Sequence, residues 1–283
     1  SRNKLQVLPP KVFEGLELER LYLQDNNLIQ LHAETFQGHT FRRYSSRCIL
    51  NISQNRLQAL PPKIFDGLEL DQLSLQNNNL IQLHAGTFQG LTFRWYCSRC
   101  ILDMSQNQLQ ELRAGTFQGL TFGENSILDI SQNKLQELHA GAFQNLRFGG
   151  GGILDMSQNK LQDLPPKVFD GTGRLEILDL ADNELSTLSD DVFYGLWSLR
   201  SLRLEGNRLH SLGDRPFSWL ESLEELNLEQ NQLTELDEDV FISRYELYPG
   251  WDYSLKRKLL ELNLGGNRLT ALPDGLFNGF RSL

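Results

Sequence analysis

The chain holds no apolar run of about eighteen residues, so nothing in it can cross a membrane as a helix. No secretory leader is visible at its start, as expected of a mature or truncated chain. Cysteine is scarce. Cys48, Cys97 and Cys100 are the full set, and no second pair stands at metal-ligand spacing, so no metal site is expected. Positive charge is in deficit, with 27 Lys and Arg against 36 Asp and Glu and a formal net charge of −9. That balance argues against a general nucleic-acid binder and is compatible with a basic partner. No serine or cysteine nucleophile motif, phosphate loop or metal triad is present. His32, His84 and His139 share one repeat position, which register explains without chemistry. The chain is therefore read as non-catalytic and without a cofactor.

What the chain has is a repeat. Eleven asparagines sit in the frame L-x-L-x-x-N-x-L: Asn3 (where the chain starts mid-frame), Asn26, Asn55, Asn78, Asn107, Asn133, Asn159, Asn183, Asn207, Asn231 and Asn267. A phenylalanine follows each by ten residues, from Phe13, Phe36 and Phe65 through to Phe241 and Phe277. Two columns locked at one offset mark a solenoid, whose units are too small to bury a core alone and must stack on neighbours. Each L-x-L is expected to be a short strand with its leucines inward. Successive strands should pair in parallel about 4.8 Å apart. Each asparagine should turn the chain inward and satisfy backbone groups of its own and the adjacent turn, because one amide both donates and accepts. The phenylalanines should form a stacked spine under the convex side. Both columns specify fold, not function.

The unit Leu178–Asp179–Leu180–Ala181–Asp182–Asn183–Glu184–Leu185, followed by Leu188, Phe193 and Leu196, resembles the typical class of the leucine-rich repeat superfamily, with about 24 residues per repeat. That class occurs in secreted proteins and cell-surface receptors such as Toll-like receptors and lamprey variable lymphocyte receptors. The last unit, Leu272–Pro273–Asp274–Gly275–Leu276–Phe277, is close to the lymphocyte-receptor form. The resemblance implies an α/β-type solenoid of about 11 repeats. It would be a horseshoe with a parallel concave β-sheet and a mostly irregular or 3₁₀ convex side. It also implies that the concave sheet or a flank binds a protein, glycan or lipid. Function is not carried by the fold itself.

Residues 1–283 are read as one domain without the family's usual cysteine-rich caps. A segment of a longer protein is the expectation, with end-to-end self-association as the alternative. Residues 1–158 hold near-identical repeats with linker insertions, and 3–54 aligns with 55–106 without gaps. Residues 159–283 hold regular repeats with a long insertion at 242–258. Four units replace the first consensus leucine by Arg47, Arg99, Asn125 or Gly151. Each carries an extra aromatic upstream (Phe41, Phe93, Phe122, Phe148), inferred to fill the vacated space. The glycine run 149–152 reads as a linker.

Three surfaces are candidates for partner binding. One is a concave column, Asp103, Asp129, Asp155, Asp179 and Arg203, beside Ile101, Ile127, Ile153 and Ile177. Its carboxylates repel one another, and a cationic partner would relieve them. The second is the insertion, with Tyr245, Tyr248, Trp251, Tyr253 and Arg257, residue types that dominate binding hot spots. The same loop can instead pack on its own flank. The third is a pair of basic, aromatic linkers, Arg42–Arg43–Tyr44 and Arg94–Trp95–Tyr96, which can bind a repeating anionic or glycan ligand or stand as solvated loops. Asn51-Ile52-Ser53 matches the N-glycosylation acceptor and would put a sugar on the concave sheet. Cys97 and Cys100 can close a local disulfide or stay reduced, and the odd thiol leaves intermolecular pairing open. Cys48 and Cys100 stand two units apart, about 10 Å by strand spacing, too far to bridge.

The reading that results is an extracellular, secreted or cell-surface recognition module for a protein or glycan ligand, with no nucleic-acid role and no direct membrane insertion. A filament-forming adhesive solenoid and an engineered binding scaffold are the alternatives.

Overall fold

The computed structural model of the protein describes residues 3–42, 47–242, 255–281 and 283. One parallel sheet of ten strands runs through it in sequence order. Its strands are Arg20–Tyr22, Ile49–Asn51, Gln72–Ser74, Ile101–Asp103, Ile127–Asp129, Gly152–Asp155, Leu175–Asp179, Ser201–Arg203, Glu225–Asn227 and Glu261–Asn263. Each contributes one central leucine to a row in strict register, from Leu21 and Leu50 to Leu226 and Leu262. The alternation of the strand turns that leucine inward. From Leu50 to Leu226 the row is completely buried, and full burial of each such side chain contributes about 1.5–3 kcal/mol.

The asparagine column behaves as its chemistry requires. Asn107 Nδ2 donates to Leu75 O in the preceding unit at 3.1 Å and to Met104 O in its own turn at 3.0 Å, while its Oδ1 accepts from Leu80 N at 3.0 Å. Asn55, Asn133, Asn159, Asn183, Asn207 and Asn231 repeat this set. Asn3 stands exposed outside the ladder. The residue before each ladder asparagine has a left-handed backbone: Asp25, Gln54, Asn77, Gln106, Gln132, Gln158, Asp182 and Gln230 lie at φ 53–56°. For a side chain other than glycine this costs roughly 1–2 kcal/mol per residue. The bonds made by the adjacent amide offset it. Only Gly206 and Gly266, in the same column, avoid the strain.

On the convex side the chain runs through turns closed by i+3 bonds, such as Thr87 N to His84 O and Leu68 N to Phe65 O, both 3.1 Å. Beneath them the phenylalanine spine forms. Ten rings from Phe13 to Phe241 stack at 5.7–6.3 Å, with planes within 20° of parallel. The expectation fails at Phe277, which is 41% exposed. Phe280 meets Phe241 edge-on instead, at 5.7 Å.

The first half carries a second, smaller and discontinuous parallel ribbon on the flank that returns to the sheet, made of separate pairs. Glu17–Leu18 pairs with Thr40–Phe41, Glu69–Leu70 with Thr92–Phe93, and Thr121 bridges Arg147. Phe41, Phe93, Phe122 and Phe148 are buried in the core, as inferred, and the last three stack at 4.6 and 5.2 Å. The glycine run is not a linker. A β-carbon at Gly149 would lie 2.6 Å from the backbone of Gly123, and one at Gly152 would lie 2.7 Å from Phe148. These glycines let the backbone close against the aromatic stack.

Candidate functional site

The concave face presents two outward columns. In one, Ile101, Ile127, Ile153 and Ile177 are register partners and half-buried. In the other, Asp103, Asp129, Asp155, Asp179 and Arg203 follow one another in the same register. The strand-end carboxylates have a structural task that the sequence reading missed. Asp129 Oδ1 accepts from Ser131 N at 2.9 Å and from Ser131 Oγ at 2.7 Å, and Asp103 and Asp155 do the same with Ser105 and Ser157. Asn51, Asn227 and Asn263 serve the same purpose with their amide oxygens. Where the column side chain closes its turn, an uncharged amide oxygen therefore serves as well as a carboxylate, and a charge is needed only if something outside the turn uses it.

That charge is costly where it stands. Burial pushes the Asp129 carboxyl above its ordinary range against the pull of its Ser131 bonds, and the charges of Asp103 and Asp155 push it further. Asp179 is raised chiefly by burial, with Asp155 adding to it and the bonds from Ala181 and Arg203 opposing. Arg203 reaches Asp179 Oδ2 at 3.1 Å, so the acidic strip is neutralised at that end and remains open along Asp103, Asp129 and Asp155.

The other predicted residues fall differently. Tyr245, Tyr248, Trp251 and Tyr253 lie outside the described residues, as do Arg43 and Tyr44. Arg257 belongs to a short helix, Leu255–Lys258, and its side chain is likewise outside them. Asn51 is half-buried at the end of its strand, on the concave face. Cys97 and Cys100 are joined as a disulfide with Cα atoms 5.7 Å apart. Cys48 is buried, and its thiol donates to Arg42 O at 3.4 Å. It is therefore shielded from the intermolecular pairing left open above.

Arg94 is the main correction among the linkers. Instead of facing solvent it is buried against Asp71, with Nε to Oδ1 at 2.7 Å and Nη2 on Oδ2. Asp71 Oδ2 also accepts from Cys48 N at 2.6 Å. Trp95 beside it is 84% exposed. Among the described residues, two clusters bring metal-type donors within 4.8 Å of one another: Asp71 with Cys97 and Cys100, and Glu111 with Glu137 and His139. In the first, the sulfurs are bonded to each other and the carboxylate is committed to Arg94. In the second, Glu111 is held by Arg113 and His139.

The family model for the leucine rich repeat matches residues 48–92, 153–209 and 198–243. Human leucine-rich repeats and immunoglobulin-like domains protein 3 is 31% identical over 91 residues, which are 32% of this chain and 8% of that protein. Pig (Sus scrofa) fibromodulin is 33% identical over 93 residues, 32% of this chain and 56% of fibromodulin. The chain thus matches only part of the length of these relatives. Among solved structures, an LRR protein of Leptospira interrogans superposes with a TM-score of 0.62 at 24% identity, over 99% of this chain and 69% of the other. The TLR13–ssRNA13 complex follows at 0.59 and 22% identity, over 99% and 44%. The Drosophila Toll–Spatzle complex follows at 0.58 and 24%, over 94% and 37%. These likenesses concern the fold. TLR13 is solved with ssRNA13, so the fold does not exclude nucleic acid, and the contrary expectation rests on net charge alone.

Proposed function

We propose, from the premise that this chain is a leucine-rich repeat protein similar in fold to Toll-like receptor ectodomains, that it is a non-catalytic recognition module that binds a protein partner through its concave sheet. The partner presents a basic patch to Asp103, Asp129 and Asp155 and an apolar strip to the isoleucines beside them. One observation carries this reading: three half-buried carboxylates in register hold charges that their turns do not require, since asparagine does the same work elsewhere in the column. Removal of such charges from water without a counter-ion is unfavourable, and a cationic partner supplies one. An extracellular setting fits the oxidised Cys97–Cys100 pair. The Toll neighbour was solved with Spatzle, which is compatible with a protein ligand.

The test replaces Asp103, Asp129 and Asp155 together by asparagine, which keeps every turn bond. Purified secreted and receptor-ectodomain proteins are screened against the parent chain by biolayer interferometry, and binders are re-measured with the variant. A basic binder should weaken by about tenfold or more, since each desolvated charge pair is worth on the order of 1.5 kcal/mol or above. Unchanged affinity for every binder removes the concave strip from the reading.

A further inference from the structure

The flank stack of the first half ends in an open groove. Phe122 and Phe148 each lie five residues after a spine ring (Phe117, Phe143), and the same step from Phe169 reaches Arg174, so the aromatic column stops there. Gly173 precedes it without a side chain, and a β-carbon at that position would lie 2.7 Å from Trp197 Nε1. The space left is a groove of about 860 Å³ bounded by Phe122 and Phe148 on one side and Trp197 on the other. Arg147 and Arg174 stand on its rim, exposed, and neither joins an ion pair among the described residues. Arg147 is anchored by its backbone, which accepts from Phe122 N at 2.8 Å and donates to Leu120 O at 3.1 Å. Trp197 is 42% exposed and braced edge-on by Tyr194 at 5.8 Å and Trp219 at 6.1 Å.

We propose that this groove is a second binding site, taking an acidic peptide segment whose aromatic side chain lies against Trp197 while its carboxylates pair with Arg147 and Arg174. The inference goes beyond the concave reading and does not depend on it: the face is different and the charge preference is opposite. An aromatic ring gains from an offset or edge-on contact with the indole beyond its area alone. A guanidinium fork matches a carboxylate in two parallel bonds. Two arginines on a chain of net charge −9 suit one or two carboxylates rather than a polyphosphate strand, which the surrounding negative field opposes.

Calorimetry with an end-blocked Glu-Tyr-Asp-Tyr-Glu peptide tests this. Its alanine analogue, Glu-Ala-Asp-Ala-Glu, and a short uridylate oligonucleotide are the controls. The tyrosine peptide should bind, and the alanine analogue should bind about tenfold more weakly or not at all. Arg147→Glu with Arg174→Glu should cost about tenfold or more. Both side chains are exposed, so the fold should persist, and the milder Arg147→Gln with Arg174→Gln should lose affinity in the same sense. Trp197→Ala should weaken the peptide as well. The concave Asp103→Asn, Asp129→Asn, Asp155→Asn variant should bind the peptide as the parent does, which separates this site from the concave one. Failure of the tyrosine peptide to bind, equal binding of the alanine analogue, indifference to charge reversal, or preferential binding of the oligonucleotide with the same arginine dependence would each overturn the proposal.

Discussion

The two halves of the solenoid close the same core by different means. From Leu175 onward each regular unit drops a consensus leucine, Leu175, Leu199, Leu223 and Leu259, fully into the interior. In the first half Leu18 and Leu70 keep that leucine, but the other four matching positions carry Arg47, Arg99, Asn125 and Gly151, none of them buried, and Phe41, Phe93, Phe122 and Phe148 reach in from the added linkers. Those linkers also build the flank ribbon. A lost leucine is therefore replaced by a larger ring from a longer loop, and the neighbours gain a second line of backbone pairing. The repeat tolerates a change of sequence where volume and polar satisfaction are both restored.

The comparison predicts unequal responses to truncation. Phe122 stacks on both sides and Leu199 on none, so Phe122→Ala should cost about 3–5 kcal/mol and Leu199→Ala about 2–5, with the aromatic loss the larger. Urea midpoints of the two variants measure this, and a smaller loss at Phe122 would mean that the flank stack is dispensable. Next in size is Arg94→Ala, which strips the buried Asp71 carboxylate of its partner and should cost about 3 kcal/mol or somewhat more. Arg94→Met with Asp71→Asn should cost less than Arg94→Ala alone, because no unpaired charge remains. A double variant as unstable as the single would show that packing, not charge, holds that linker.

The smallest effect is a gain. The Asp129 carboxyl is raised in the folded chain, so its contribution to stability is fully present below the ordinary carboxylate range and is lost as pH rises through its folded value. Asp129→Asn keeps the bonds to Ser131 and removes the repulsion, and should stabilise the free protein by roughly 0.2–1 kcal/mol near neutral pH. The gain should shrink as pH falls through the parent carboxyl's raised folded value, where it takes up its proton. His39 works in the opposite direction. Burial lowers its folded value, so its contribution is present above the ordinary histidine range and is lost as pH falls through that folded value. Thermal melts of parent and variant across this window separate the two, and a pH-independent gain at Asp129 would sink the assignment.

Much of the architecture was legible because its determinants repeat. Asn107 and Phe117 recur at fixed offsets, and one amide with two roles and one ring with two faces leave few other ways to stack. The concave register followed from the same columns. What could not be read depends on contacts that occur once. Asp71 and Arg94 are 23 residues apart and buried, whereas the aligned pair one super-repeat earlier, Glu19 and Arg42, is exposed, so the spacing alone does not announce a buried ion pair. The left-handed glutamines, such as Gln106 and Gln132, are invisible because nothing in glutamine announces that conformation. Phe277 fits its column in sequence and leaves it in space, because Phe280 takes the contact with Phe241. The groove at Trp197 exists only where long linkers give way to short ones, so no single repeat predicts it.

The flank ribbon has a mechanical corollary. Each asparagine reaches only into the coil beside it, so tension between the chain's ends would peel coils off singly, not tear the body at once. Coils from Leu175 on are clasped by sheet and spine; before it, the flank pairings clasp coils two by two as a further hold. Under load the later stretch should let go first.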